Sequence, residues 1–370
     1  MSVQPAVGPR LRTKPRNAAL DGIRGLAISA VIASHFVPAF IPGGFKGGAY
    51  GVLIFFVLSG YLITTLLLKE YDASGRIDIK AFYVRRALRL LPALYLFLLV
   101  ALVLTFAFGT YLRMDSGGAV VGSVLAFFYV FNWVDFAGLH IPHSMTPLWT
   151  LSVEEQFYLV WPLALTLMLG IPVLKRHLQG IVLSAVVIFT GLGILAYLSF
   201  GLMSYYRTWT WIAPLLLGVS LAIAQRRTQG RIGAELGRFS PIAWCLLLLV
   251  AFYPPTLDSV VTHAVTVPLL SVAACAIIAR STQDGSAQSQ RALSTRVLGS
   301  PLLVYLGRRS YGLYLWNLIA LETLEHFIEN PALLICCALA VTLAIAEASY
   351  RWVEMPALSL KHRFEHVQLG

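Results

Sequence analysis

Apolar residues along this chain gather into eleven runs, reading 23–41, 50–68, 88–108, 119–136, 152–174, 181–203, 209–224, 241–253, 259–279, 302–321 and 331–350. A helix needs about 20 consecutive apolar residues to cross a bilayer, so the pattern predicts an all-α, polytopic bundle of transmembrane helices. The polar connections alternate in basic content. The N-terminal arm, the 69–86 loop, Lys175-Arg176, the 225–238 loop, the 280–301 loop, Arg308-Arg309 and the 351–363 tail are basic. Of 28 Lys and Arg, only Lys46, Arg113 and Arg207 fall on the other side. An excess of Lys and Arg marks the cytoplasmic face, which places both termini inside and demands an even number of crossings. The run 119–136 is short and interrupted by Asn132 and Asp135, and counting it as a crossing would push Lys175 and Arg176 outside. It is expected to be re-entrant or to lie against the outer face, leaving ten spanning helices. Polar backbone at that depth needs shelter from protein or a cavity.

Composition removes the soluble alternative. Apolar residues make up 58% of the chain and charged residues 12%, with mean hydropathy +0.75; a soluble domain carries roughly 45–50% and about 25%. The expected division is a basic cytoplasmic arm at 1–19, a membrane domain at 20–356 and a cytoplasmic tail at 357–370. The net charge of +11 follows from the basic inner loops rather than from a nucleic-acid partner. The basic run Arg10, Arg12, Lys14, Arg16 precedes a first apolar segment too long for a signal-peptide core, which predicts a retained first span. Cys245, Cys275, Cys336 and Cys337 lie in apolar runs without metal-ligand spacing and are expected to be small core residues.

Ionisable side chains inside such runs are expensive and mark pathways or sites. Arg24 and His35 are eleven residues apart. On a helix that spacing returns to within about 20° of the same face, about 16 Å further along. The predicted topology puts Arg24 near the cytoplasmic face and His35 in the outer half. The plainer reading is a snorkelling arginine and a histidine bonded to a neighbouring helix.

Arg85, Arg86 and Arg89 open the third run on a shared helical face. Guanidinium forks suit phosphate capture, and juxtamembrane arginines also anchor helices to anionic headgroups. Anchoring is the expectation for Arg85 and a functional role for Arg89. Glu154 and Glu155 stand at the outer mouth of a span. Neighbours point about 100° apart, so one is expected inside and the other at the interface. A carboxylate near an imidazole would orient it and stabilise the imidazolium. His140 and His143 flank Pro142, but nothing nearby completes a metal-ligand set. Tyr311 and Tyr314, one turn apart, line a polar pocket or belong to an interfacial aromatic belt. Glu347 and Arg351 have the i, i+4 spacing of a structural ion pair.

The ordered motifs are Leu20-Asp21-Gly22-Ile-Arg24-Gly25 with the Arg-x10-His pair, Gly51-Val-x-x-Phe-Phe-Val-Leu-Ser-Gly60, Phe82-Tyr-x-Arg-Arg86-x-x-Arg89-x-x-Pro92, Leu148-Trp149-x-Leu-Ser152-Val-Glu154-Glu155-Gln-Phe-Tyr, Ser310-Tyr311-x-Leu-Tyr314-Leu-Trp316 and Glu354-x-Pro356. Spread over 20–356, they resemble acyltransferase family 3, integral membrane O-acyltransferases of bacterial surface polysaccharides, peptidoglycan, lipids and some antibiotics. Two positions depart from it: Asn317 stands where the family often has His, and Leu53 where a charged residue often follows Gly-Val.

The resemblance implies a multi-pass protein of the bacterial cytoplasmic membrane. It would take acyl-CoA, expected to be acetyl-CoA, from the cytoplasm without a metal. It would acylate a hydroxyl of a glycan, glycolipid or natural product. Arg86, Arg89 and Arg85 would hold the CoA phosphates, with Arg24 deeper. His35 would be general base or transient acyl carrier, oriented by Glu154 or Glu155. Tyr311, Tyr314, Asn317, Trp149 and Ser152 would contact substrate. The rival reading is a secondary transporter whose Arg24, His35 and Glu154 relay protons or bind an anion.

Overall fold

A computed structural model describes residues 17–37, 45, 47–112, 116–133, 141–252, 259–283 and 293–360. Among these every regular element is helical. Ala18–Phe36 (α1), Gly48–Ser74 (α2), Ile79–Leu112 (α3), Ser116–Phe127 (α4), Leu148–Gly170 (α5), Pro172–Phe200 (α6) and Thr208–Arg227 (α7) come first. Arg231–Gly237 (α8), Ser240–Phe252 (α9), Val267–Ser281 (α10, preceded by a π turn at Thr262–Thr266) and Leu293–Leu298 (α11) follow. The chain closes with Pro301–Arg308 (α12), Ser310–Glu325 (α13), Pro331–Ser349 (α14), a π turn at Tyr350–Glu354 and Met355–Ser359 (α15).

Seven helical stretches are long and apolar enough to cross a membrane: Ala18–Phe36, Gly48–Ser74, Ile79–Gly109, Pro172–Phe200, Thr208–Arg227, Thr262–Ser281 and Pro331–Ser359. The α8–α9 pair, bent by 51°, adds an eighth if it is one span. The protein is a multi-pass, all-α membrane protein. The other two predicted crossings correspond to α5 and α13. The first is diluted by Glu154, Glu155 and Gln156, and the second has only 16 residues. Ten crossings are therefore not reached on length and apolarity alone.

The run at 302–321 is also not one helix. α12 ends at Arg309 (φ −105°, ψ 6°) and α13 begins anew at Ser310. The amphipathic α12 packs along α1 instead of continuing into the bundle.

α2 is the axis of the fold. In its most apolar window 72% of residues are buried, against 17% in α6, whose outward side chains such as Val187 and Leu195 face the surroundings. That contrast separates the central helix from a lipid-facing one. It also corrects the reading of the cysteines: Cys275 is buried, but Cys245 and Cys336 are exposed. Lipid and core are equally apolar, so apolar neighbours in sequence do not tell the two apart.

α2 and α7 cross in close contact. A Cβ on Gly60 would lie 1.9 Å from the Leu215 carbonyl oxygen, and one on Gly218 2.0 Å from that of Val57. Small residues are what let two membrane helices approach this way. Gly218→Ala is expected to destabilise the fold by about 1–3 kcal/mol through overpacking. The readout is the melting temperature of the purified protein in detergent, and an unchanged value would contradict the crossing.

The run predicted not to span forms α4, of 12 residues, about 18 Å long and short of a hydrocarbon core of about 30 Å. Beyond it Tyr129 takes a left-handed φ of 55°, a conformation that side chains with a Cβ disfavour. α5 holds this break in place. Gln156 Nε2 donates to the Tyr129 carbonyl (2.7 Å) and to Asn132 Oδ1 (2.9 Å), and the Phe131 amide donates to Ser152 Oγ (3.2 Å). Thr208 of α7 donates to Gln156 Oε1 at 2.6 Å and accepts from Asn132 Nδ2 at 2.9 Å. Side chains thus supply the partners that a broken helix leaves open.

Candidate active site

α1 is fixed at its start by Asn17, whose side chain accepts from the Ala19 and Leu20 amides and donates to the Ser281 carbonyl. Its last turn carries His35, half-buried against α13. There His35 Nδ1 meets Asn317 Oδ1 at 2.6 Å. Asn317 is fully buried, and its Nδ2 donates to the carbonyls of Leu313 (3.0 Å) and Tyr314 (2.7 Å). With the amide nitrogen so used, the oxygen faces the ring and the hydrogen sits on His35 Nδ1. Nε2 then carries the lone pair. The imidazole's orienting partner is thus Asn317, not Glu154 or Glu155.

A row of polar side chains leads inward from this pair. One turn before Asn317, the Tyr314 hydroxyl lies 2.7 Å from Thr150 Oγ1, which itself donates to the Pro147 carbonyl at 3.0 Å. Tyr314 is therefore the donor to Thr150. Thr150, Glu154 and Tyr158 recur every four residues on α5 and so share a face. Glu154 accepts hydrogen bonds from Ser59 of α2 and from Tyr158 (2.5 Å).

Beyond it, Arg86 of α3 donates through Nε (3.0 Å) and Nη2 (2.7 Å) to Glu155 Oε1. Arg86 Nη2 lies 3.6 Å from Glu154, and the guanidinium sits 3.7 Å over the Tyr158 ring. Both carboxylates therefore face the interior, correcting the expectation that one would be interfacial. A single guanidinium lies between them and offsets the angle that separates them on the helix.

The other predicted residues do not gather at one place. Arg85 pairs with Glu70 at 3.3 Å, and Arg24 lies 3.6 Å from Asp21, which also meets Arg308 at 3.3 Å. Arg89 is exposed, unlike Arg86, so these two do not form one fork. Tyr311 donates to the Leu90 carbonyl at 2.9 Å and ties α13 to α3.

Trp149 is buried among Phe56, Tyr205, Tyr206 and Trp211, with ring centroids 5.2–6.4 Å away. Ser152 is buried, and its hydroxyl serves the break after α4 and the Leu148 carbonyl. Glu347 pairs with Arg351 and also with Arg309. Among the described residues no cluster could hold a metal ion; His140 lies outside them.

Sequence reasoning did not single out Ser59, Thr150 or Tyr158. The four-residue spacing of Thr150, Glu154 and Tyr158 was a signal available for two of them.

Comparison with known proteins identifies the family. The acyltransferase-domain family matches residues 17–351. The peptidoglycan O-acetyltransferase of Listeria monocytogenes (serovar 1/2a, strain EGD-e) is 32% identical over 369 residues, covering 91% of this chain and 55% of that protein. A Bacillus subtilis (strain 168) protein named "Putative peptidoglycan O-acetyltransferase" is 33% identical over 356 residues, covering 91% and 54%. The chain thus spans about half the length of the curated relatives it matches. No solved structure matches it significantly. With a family match running from the cap of α1 to the last π turn, the chain belongs to the acyltransferase-domain family, the membrane acyltransferase family 3 that its motifs resemble.

Proposed function

We propose that this chain is a membrane-embedded O-acyltransferase. It moves an acyl group, acetyl in the first instance, from acyl-CoA entering on the cytoplasmic side to a hydroxyl of a glycan on the outer side. The observation that carries this reading is the His35–Asn317 hydrogen bond, which leaves Nε2 with a lone pair in a half-buried position. A base of this kind takes the acceptor's hydroxyl proton as the oxygen attacks the thioester carbonyl. The C–S bond then breaks, and the proton passes from Nε2 to the CoA sulfur. Attack by Nε2 itself, giving a transient acyl-histidine, uses the same lone pair.

Arg89, exposed near the start of α3, together with Arg24 is assigned to the CoA phosphates. Arg86 and Glu155 hold α3 against α5 at the inner end of the polar row. The names of the relatives favour peptidoglycan or a related glycan as acceptor. The chain is assigned to the bacterial cytoplasmic membrane with both termini inside, following its basic loops.

The test is to incubate the purified protein with acetyl-CoA and soluble peptidoglycan fragments. Free CoA thiol and fragments heavier by one acetyl group are expected. A secondary transporter would release no thiol, with or without the fragments, and that result would overturn the reading.

A further inference from the structure

α6 opens at Pro172 and presents Lys175 and Arg176, both exposed, near its start. Its neighbour α7 ends in Arg226 and Arg227. Arg226 donates through Nε to Asp72 of α2 at 2.9 Å and forms an ion pair with it, so that carboxylate is taken. Arg227 instead donates Nη2 to the Arg176 carbonyl at 2.9 Å, which sets its guanidinium beside the α6 backbone. Lys175 Nζ donates to the Tyr71 hydroxyl at 3.1 Å and lies 5.0 Å from the centre of that ring.

Three cations are thus gathered, and two of them are held in place by neutral groups. Among the described residues none of Lys175, Arg176 and Arg227 has a carboxylate partner, and the first turn of α6 holds no acidic residue. Like charges brought together in this way repel one another and are complementary to an anion. Guanidinium and ammonium groups are the side chains that take phosphate.

The surroundings of the cluster decide what carries that phosphate. α6 is the least buried of the seven spans, at 17%. Val173, two residues before Lys175, is 67% exposed. Arg176, Gly180, Leu183 and Val187 follow at three- and four-residue steps and share one helical face. Leu183 and Val187 are exposed, and a Cβ on Gly180 would meet nothing within 4 Å. An uncovered apolar strip therefore starts at Arg176 and runs about 16 Å to Val187, close to the depth of one leaflet in a hydrocarbon core of about 30 Å. A soluble phosphate compound would use the charge and leave the strip bare. A phospholipid uses both.

We infer that Lys175, Arg176 and Arg227 bind the headgroup phosphate of an anionic phospholipid, with one acyl chain lying along Gly180, Leu183 and Val187. The site uses none of the residues assigned to acyl transfer. It ties the basic end of lipid-facing α6 to α7, which packs on the central α2. Each Lys or Arg beside an anionic lipid surface contributes about a fivefold gain in affinity, so the three together are worth about 100-fold.

The experiment uses the full chain in detergent, with lipid binding followed by native mass spectrometry and by the melting temperature. The probes are phosphatidylglycerol, phosphatidylcholine with the same chains, and glycerol 3-phosphate, which has the phosphate but no chains. Wild type is expected to bind phosphatidylglycerol about tenfold or more tighter than the zwitterionic lipid and to melt higher when it is bound. Arg227→Gln should weaken phosphatidylglycerol about fivefold, and Lys175→Gln with Arg176→Gln and Arg227→Gln about 100-fold. Arg296→Gln, an exposed cation on α11, should leave binding unchanged. If the triple variant does not fold, Arg227→Gln against Arg296→Gln decides alone.

Phosphatidylcholine bound as tightly as phosphatidylglycerol overturns the site. So does equal binding by wild type and Arg227→Gln, or an equal loss in Arg296→Gln. Competition by glycerol 3-phosphate at equal concentration would show that the chains contribute nothing, and the lipid assignment would fail. Release of the lipid by acetyl-CoA would place the cluster on the nucleotide's path and overturn that assignment as well. Retention of phosphatidylglycerol in the presence of both compounds supports it.

Discussion

His35→Ala is expected to lower the rate of acyl transfer by about 10²–10⁴-fold, the contribution of a positioned general base. That corresponds to about 3–5 kcal/mol of barrier. The loss should appear in kcat rather than in KM for acetyl-CoA, because the imidazole, carried by α1 and held by Asn317 of α13, stands apart from Arg89 of α3. Asn317→Leu should show a smaller defect of about 2–10-fold, the worth of one ordinary hydrogen bond. In that variant the ring persists but its tautomer is no longer held. The ordering is the informative part. If Asn317→Leu were as slow as His35→Ala, the asparagine would be touching substrate rather than orienting the ring. If purified His35→Ala retained full transfer, the assignment of the base would be wrong.

What the sequence made visible follows from what periodicity encodes. The apolar runs located most helices, and the interruption at Asn132 marked α4 as too short to cross. Local spacing also found the Glu347–Arg351 pair, which lies within one turn. Periodicity says which face a residue occupies but not which helix stands opposite. His35 and Asn317 are 282 positions apart, so no local pattern joins them. The one hint was compositional: position 317 is where this chain departs from the family's usual His. The same limit explains the glutamates, whose proximity to His35 rested on shared depth alone. Glu154 and Glu155 instead gather at Arg86 of α3. The break at Arg309 went unread because α12 and α13 were merged into one apolar run, although the basic pair Arg308-Arg309 stands at it.

Arg86→Ala is expected to cost about 3–5 kcal/mol of stability, the penalty for leaving one member of a buried ion pair without its partner. The side chains of Arg86 and Glu155 are each only 14% exposed, so solvent cannot replace the lost charge. Glu154, 3.6 Å from the same guanidinium, loses compensation as well. A lower melting temperature and a poor yield of folded protein are the expected readouts. The double variant Arg86→Met with Glu155→Leu should recover most of that loss, because removing both charges also removes the cost of burying them. The family resemblance implied a phosphate-binding role for Arg86, and the two roles predict opposite results. A phosphate ligand would give Arg86→Ala a normal melting temperature and a raised KM for acetyl-CoA, and the double variant would be no better. A structural pair gives an unstable single variant, a stable double, and a KM that moves instead with Arg89→Ala. Stability recovered by the second substitution would mark Arg86 as the clasp between α3 and α5, and the phosphates would then fall to the exposed arginine three residues further along.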